Sequence, residues 1–312
     1  FFSFEFFPWE LKVFMEVVDT HIHFADQGKI PVSWTQNVEE EQKRPTGSFH
    51  RSWFEADLLK EVAESKDRFA VTRGIYVEAV SDKPADEAKW ALELAASPNS
   101  IIEGVVAHVP VTDGKEAVQR WLGELQVKGK LSPYLKGGRF VLFGQPKDVM
   151  LSDQYSRGLQ ELSSNGLHWE FVGTPDYLPG ILECVKRHPS VQFVLNHLGL
   201  NQGLEVCGGF EEWKQMITQL SSCKNVVAKL GGSEEWNLQG DEQLHQRILQ
   251  HALQAFGFDR CLAEGNWFVS TGTYSAGFDA LLKALGALKA SEHEIQAVFE
   301  TNAVRFYRMG AN

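Results

Sequence analysis

Val17-Val18-Asp19-Thr20-His21-Ile22-His23 is the stretch on which the fold of this chain turns. Two apolar residues lead into a carboxylate and then into two histidines that alternate with Ile22. In a strand, side chains at i and i+2 share a face. Both imidazoles therefore point the same way at the end of a strand, with Asp19 beside them. Two neutral imidazoles on one face can hold a zinc-type cation, or can orient and polarise a substrate carbonyl. A strand-edge pair bonded to backbone is the structural alternative, and the rest of the chain separates the two.

Outward from this stretch, strand and helix patterns alternate to the end of the chain. Further strands are predicted at Ala70 to Val77, Ile101 to Ala107, Gly138 to Phe143, Leu167 to Val172, Val191 to Leu195, Val226 to Leu230 and Arg260 to Ala263. Helical patterns fall between them, from Glu55 to Phe69 through to a closing helix at Glu292 to Tyr307, which opens with Ser291 and Glu294 in capping-box spacing. Eight strands alternating with helices predict a parallel sheet with crossover helices, closed as a single (β/α)8 TIM barrel. A doubly wound open sheet is the runner-up, weakened because no Gly-rich phosphate loop follows any strand. No linker divides residues 1–312, so one domain is expected, with 1–16 as an N-terminal extension. Residues 25–54 form a long polar loop after the first strand, flanked by Trp34 and Trp53, and loops of this length are often functional.

Composition narrows the class of function. A 312-residue chain with 43% hydrophobic and 23% charged residues can bury a large core. The net charge of −11 argues against nucleic acid and anionic membrane surfaces as partners. Cys184, Cys207, Cys223 and Cys261 have no CxxC spacing, so a reducing, cytoplasmic setting is expected. The aromatic start, Phe1 to Trp9, carries Glu5 and Pro8 and lacks the basic region and cleavage site of a signal peptide. A small-molecule substrate is the expected partner, and a homo-oligomer is compatible with the composition.

In a barrel, chemistry sits at the C-terminal ends of the strands. The polar residues there are Asp19, His21 and His23 on strand 1, Glu78 on strand 2, His108 on strand 3, Arg139 on strand 4 and Glu170 on strand 5. Strands 6 to 8 add Asn196 and His197, Lys229, and Glu264 with Asn266. Polar groups on apolar strands are costly unless paired, and ion pairs such as one using Arg139 or Glu170 are the structural alternative. Three histidines from two strands point instead to a shared site.

In Asp19-Thr20-His21-Ile22-His23, Val77-Glu78-Ala79, Gly138-Arg139, Val194-Leu195-Asn196-His197-Leu198-Gly199, Asn225 to Leu230, Glu264-Gly265-Asn266-Trp267 and Thr301-Asn302-Ala303, the chain resembles the amidohydrolase superfamily. The likeness is to its amidohydrolase-related branch, which includes sugar-lactone and dicarboxylate-lactone hydrolases. It runs from about Val17 to the end in family order. Many relatives end strand 8 with Gly-Ser-Asp-Trp, where the Asp binds metal or acts as base; Asn266 stands there in this chain, and an amide takes up no proton at neutral pH. Glu264-Gly265-Asn266 resembles a Glu-Ser-Asn variant. The strand 5 metal histidine of metal-dependent relatives has no counterpart, since His168 lies at the start of its strand.

The resemblance implies a hydrolase that opens a small polar or acidic lactone. His21, His23 and His197 would polarise the carbonyl, through one divalent zinc-type metal or directly as donors without metal. Glu264 would activate water, with Glu78 and Asp19 as understudies. Asn266 would orient water or substrate; Arg139 or Lys229 would hold a substrate carboxylate; Glu78, His108 and Trp53 would line the substrate. A non-oxidative decarboxylase and a barrel that binds ligand without turnover are the alternatives.

Overall fold

The computed structural model describes residues 15–37, 49–65, 68–270 and 272–310. Eight parallel strands pair in sequence order: β1 (Met15–Ile22), β2 (Phe69–Val77), β3 (Ile102–His108), β4 (Leu135–Val141), β5 (His168–Val172), β6 (Phe193–Leu195), β7 (Val226–Leu230) and β8 (Cys261–Ala263). Helices α1 (Glu55–Ser65) to α7 (Glu242–Phe256) follow β1 to β7 in turn, and α8 (Ala276–Ala287) follows β8. The strands carry apolar residues on both faces because the helices cover one side and the barrel interior the other. The predicted (β/α)8 barrel is thus observed.

Side chains finish the closure between β1 and β8. Thr20 Oγ1 donates to the Ala263 carbonyl at 2.7 Å, and Ile22 bridges to Trp267 beyond the end of β8. Asp19 is the centre of this seam. Its Oδ1 accepts from the backbone N–H of His21 at 2.9 Å and of Gly265 at 2.8 Å, and its Oδ2 accepts from the Tyr274 hydroxyl at 2.7 Å. A Cβ at position 265 would lie 2.4 Å from Asp19 Oδ2, so only glycine lets β8 approach the carboxylate this closely.

The sequence pattern predicted one closing helix over Glu292 to Tyr307. The structure breaks it into α9 (Glu292–Gln296), a π-helical turn at Ala297–Thr301 and α10 (Asn302–Tyr307). Such a turn adds a residue to the local repeat, which an apolar stripe does not reveal. After it, Asn302 Nδ2 donates to the Cys261 carbonyl at 3.0 Å, and Ala303, Tyr307 and Met309 pack with Val18, Ile75, Val106 and Leu262 in the barrel interior. The C-terminal segment therefore plugs the floor and leaves the opposite mouth for chemistry. The predicted capping box of Ser291 and Glu294 is present.

Of the long loop after β1, residues 38–48 lie outside the described residues, as do residues 1–14 of the expected N-terminal extension. The rest sits at the C-terminal end of the barrel. Ala25 and Trp53 exchange backbone hydrogen bonds of 2.9 and 2.8 Å, and Trp34 Nε1 donates to the Ala79 carbonyl at 2.8 Å. No helix among the described residues is long and apolar enough to cross a membrane.

Burial pushes the Asp19 carboxyl up to about 6, against 3.8 for an ordinary aspartate. The folded state then holds the proton more tightly than the unfolded chain. This group's contribution to stability is greatest below pH 3.8 and falls by roughly 3 kcal/mol as pH rises through 6, at about 1.36 kcal/mol per pKa unit. Urea titrations of wild type and Asp19→Asn at pH 4.5 and 7.5 should show the wild type losing ground to the variant at the higher pH. A difference independent of pH would mean that Asp19 does not titrate in the seam.

Candidate active site

At the mouth, β1 and the turns after β6, β7 and β8 converge on one carboxylate. Glu264 Oε2 accepts from His21 Nδ1 at 2.9 Å. Its Oε1 accepts from His197 Nδ1 at 3.0 Å, from the His197 backbone N–H at 3.1 Å and from the Gly231 N–H at 3.0 Å. All of these groups are buried. The ring centroids of His21 lie 4.8 Å from those of His23 and 4.5 Å from those of His197.

The proton positions follow from the partners. A carboxylate only accepts and a guanidinium only donates. Arg139 Nη1 lies 3.2 Å from His21 Nε2, so that nitrogen is the acceptor and Nδ1 carries the hydrogen donated to Glu264. His197 likewise carries its hydrogen on Nδ1, leaving its Nε2 lone pair. His23 donates from Nδ1 to the Val77 carbonyl at 2.8 Å, so its Nε2 is bare as well. Burial, with the cations around them, drives the His21 and His23 pKa well below the usual histidine value; Lys229 leads among those cations for His21 and Arg139 for His23. Burial also opposes charge on His197, but the Glu264 carboxylate outweighs it and the net shift is upward.

Backbone geometry holds His197 in place. His197 and Leu198 adopt φ values of 51° and 55°, in the left-handed region that costs non-glycine residues about 1–3 kcal/mol in such sites. Asn196 Nδ2 donating to the Phe171 carbonyl at 2.9 Å and Trp213 Nε1 donating to the Leu198 carbonyl at 3.0 Å brace the turn. Gly232 has a φ of +66°, and a Cβ there would stand 2.3 Å from His197 Nδ1.

The other predicted residues fall into layers. Arg139 is paired with Glu78, Nε to Oε1 at 2.9 Å, and joins it to His21. His108 is half-buried, with Glu78 and Arg139 among its charged neighbours, and burial lowers its pKa. Asn266, at φ 52°, donates from Nδ2 to Glu235 Oε1 at 2.9 Å, and its side chain also faces His23. Trp53 is fully buried; it stacks on Phe268 at 5.6 Å, and Phe268 meets His23 edge-on at 6.4 Å. Lys229 lies deeper, its Nζ 2.7 Å from Glu170 Oε2. Glu170 Oε1 accepts from Tyr307 at 2.8 Å and faces His168 Nε2 at 3.0 Å. Burial would raise the Glu170 carboxyl, but the Lys229 ammonium and the His168 hydrogen bond hold it well below the carboxylate range. Glu264 pairs with neither Lys229 nor Arg139: those cations take Glu170 and Glu78, and Glu264 takes two imidazoles. His168 stays at the barrel floor, away from the mouth, as its place at the strand start implied.

His21, His197 and Glu264 offer ligand atoms within 4.8 Å of one another, a donor set able to hold a metal ion. His23, expected as a third metal ligand, is outside that group, although its Nδ1 bond to the Val77 carbonyl leaves Nε2 bare. Sequence reading missed Glu235, Asn201, Glu87 and Tyr274. Each lies in or beside a loop, or on a helix, where strand periodicity gives no signal.

The amidohydrolase family model matches residues 18–309. The chain belongs to this family. It is 22% identical over 303 residues to an L-fucono-1,5-lactonase of Burkholderia ambifaria, covering 94% of this chain and 95% of that protein. Among solved structures, an amidohydrolase from Burkholderia multivorans with bound zinc superposes with a TM-score of 0.77 at 22% identity, covering 94% and 99% of the two chains. A probable 2-pyrone-4,6-dicarboxylic acid hydrolase from Acinetobacter baumannii, with citric acid bound, gives 0.66 at 14% identity over 95% and 100%.

Breaking a buried ion pair on one side leaves an uncompensated charge and typically costs about 3–5 kcal/mol. Lys229→Met should therefore lose that amount in denaturant unfolding, and adding Glu170→Leu should restore most of it. A single variant costing under about 1 kcal/mol would show that the pair is not a stabilising element of the floor.

Proposed function

We propose that this amidohydrolase-family enzyme hydrolyses a small polar lactone bound at the mouth beside His197 and His23, with its carbonyl oxygen turned toward the Arg139 guanidinium. The observation that carries the reading is the single buried carboxylate, Glu264, bonded at once to His21 Nδ1 at 2.9 Å and His197 Nδ1 at 3.0 Å. Sequence reading put the proton transfer on Glu264 itself. Its two oxygens already accept four donors, so we place the transfer on the bare Nε2 of His197, with Glu264 orienting the ring and stabilising the imidazolium. Water loses a proton to His197 Nε2 as its oxygen bonds to the carbonyl carbon. The ring C–O bond then breaks, and His197 returns the proton to the departing alkoxide, giving a hydroxy acid. Arg139, held by Glu78, supplies a fixed positive charge beside His21 that favours the developing oxyanion.

Neutral imidazole nitrogens and a carboxylate are ligands that zinc takes, so the group is chemically able to hold a divalent ion of that type, but such an ion would have to replace the hydrogen bonds that now join His21 and His197 to Glu264. His21, His197 and Glu264 would hold it, and when bound it would act as a Lewis acid and lower the pKa of a bound water. Metal content of the purified protein, with turnover before and after chelation, decides whether an ion takes part.

A pH-indicator screen against a lactone panel, with released carbon dioxide followed in parallel, tests the activity. Hydrolysis without carbon dioxide is expected; carbon dioxide release would favour a decarboxylase, and binding without turnover a lapsed barrel. On a confirmed substrate, His197→Asn should lower kcat by roughly 10²- to 10⁴-fold. Glu264→Gln removes the charge that raises the His197 pKa, so the acid limb of the kcat/KM profile should move to lower pH. An unmoved limb would take the proton transfer away from this pair.

A further inference from the structure

Glu235, in the turn after β7, reaches the same mouth from the side. Its Oε1 accepts from Asn266 Nδ2 at 2.9 Å, and its Oε2 accepts from Asn201 Nδ2. The two asparagines are 1% and 2% exposed. Each gives one of its two N–H donors to Glu235, and the amide oxygen of each is buried with no hydrogen-bond partner. Glu235 carries its charge close enough to His197 to raise that ring's pKa, and Asn266 faces His23. Gly232, three residues before Glu235, packs so closely on His197 that a Cβ there would stand 2.3 Å from Nδ1, so the bracket lies at the same mouth as the imidazoles.

Its chemistry is weighted toward acceptors. A carboxylate accepts only, and so does an amide oxygen, against the one N–H that each asparagine has left. His23 Nε2, bare because Nδ1 donates to Val77, adds a further acceptor. Buried polar groups left unpaired are costly, so this set calls for donors from a ligand or from ordered water. A substrate carboxylate would bring a like charge beside Glu235, which opposes binding. The two buried cations suggested for such a group, Arg139 and Lys229, are already paired with Glu78 and Glu170.

We propose that Glu235, Asn201 and Asn266 form a specificity subsite that reads hydroxyl donors on a neutral lactone and rejects lactones bearing a carboxylate. This rests on the hydrolase reading above and adds the substrate class to it. Glu235 is a specificity residue that exchanges no proton with substrate; because its charge also raises the His197 pKa, kcat and KM are compared on the pH-independent plateau of each variant.

The test compares gluconolactone, valerolactone, a carboxylated butyrolactone and an amino-substituted butyrolactone on the full chain. Wild type should prefer gluconolactone. Glu235→Gln and Asn201→Leu should each raise its KM by roughly 10- to 100-fold, the range of a hydrogen bond to a charged group, with kcat within about threefold; Glu235→Asp should recover part of the loss. Valerolactone, without hydroxyls, should be unaffected. Equal losses on both lactones, or a wild-type preference for the carboxylated or amino compound, overturns the assignment. If no lactone is turned over, calorimetry with anhydroglucitol separates the two proposals. Binding that is lost in Glu235→Gln supports the subsite while the hydrolase reading fails; no binding to wild type overturns the subsite as well.

Discussion

The buried carboxylate of Glu264 is the constraint on which the mouth of this barrel depends. It joins β8 to His21 on β1, to His197 after β6 and to the Gly231 backbone after β7. A carboxylate taken this far out of water persists only when its acceptor sites are filled. Four donors fill them here, and they fix three separate pieces of backbone, at His21, His197 and Gly231. The His197 turn is the clearest consequence. Two residues in the left-handed region would relax were the His197 N–H and ring not both held by the same oxygen.

From Glu264 the proton positions propagate. His21 donates to it, so His21 Nε2 must accept, and Arg139 supplies the donor at 3.2 Å. Arg139 is aimed by Glu78 at 2.9 Å. Glu78 is set in turn by the turn after β2, which Glu87, on the helix Pro84–Ala95, ties down through the Ala79 N–H and the Tyr76 hydroxyl. The alternation of acceptor-only and donor-only groups leaves one tautomer for each ring, so the site is preorganised before substrate arrives. Below it, Lys229, Glu170, His168 and Tyr307 form a second charged layer closed by the C-terminal segment. The Lys229 charge still reaches upward, helping to keep His21 neutral.

The barrel and its chemistry-bearing strand ends were legible because both depend on short-range order. Alternating imidazoles at His21 and His23, and apolar runs of strand length, need only local periodicity. The convergence of His197 with them was legible through the ordered set of motifs. Pairing was harder to read. Nothing local says that Lys229 looks down to Glu170 while Glu264 looks across to two rings, because those choices are made between strands far apart in sequence. The π-helical turn at Ala297–Thr301 was hidden for a related reason: it changes register by one residue within an unbroken helical pattern, and only the docking of Tyr307 on Glu170 gives that residue its purpose. Glu235 lies in a loop, where neither periodicity nor spacing distinguishes a site residue from a solvated one.

Asn266 and Glu235 explain one another. Position 266 is the place where many relatives carry Asp, and by sequence its amide looks like a loss of function. In space its Nδ2 lies 2.9 Å from Glu235 Oε1. Two carboxylates at that distance could not both stay ionised without a cation between them. The amide avoids that conflict, because it donates to Glu235 while its oxygen faces the His23 side of the mouth. Negative charge is thus carried by Glu235 in the turn after β7 and not by residue 266, while Glu264 remains the carboxylate at the end of β8. On this view Asn266 marks a redistribution of charge across the mouth, which turns a position associated with metal or base chemistry into part of a surface for recognising donors.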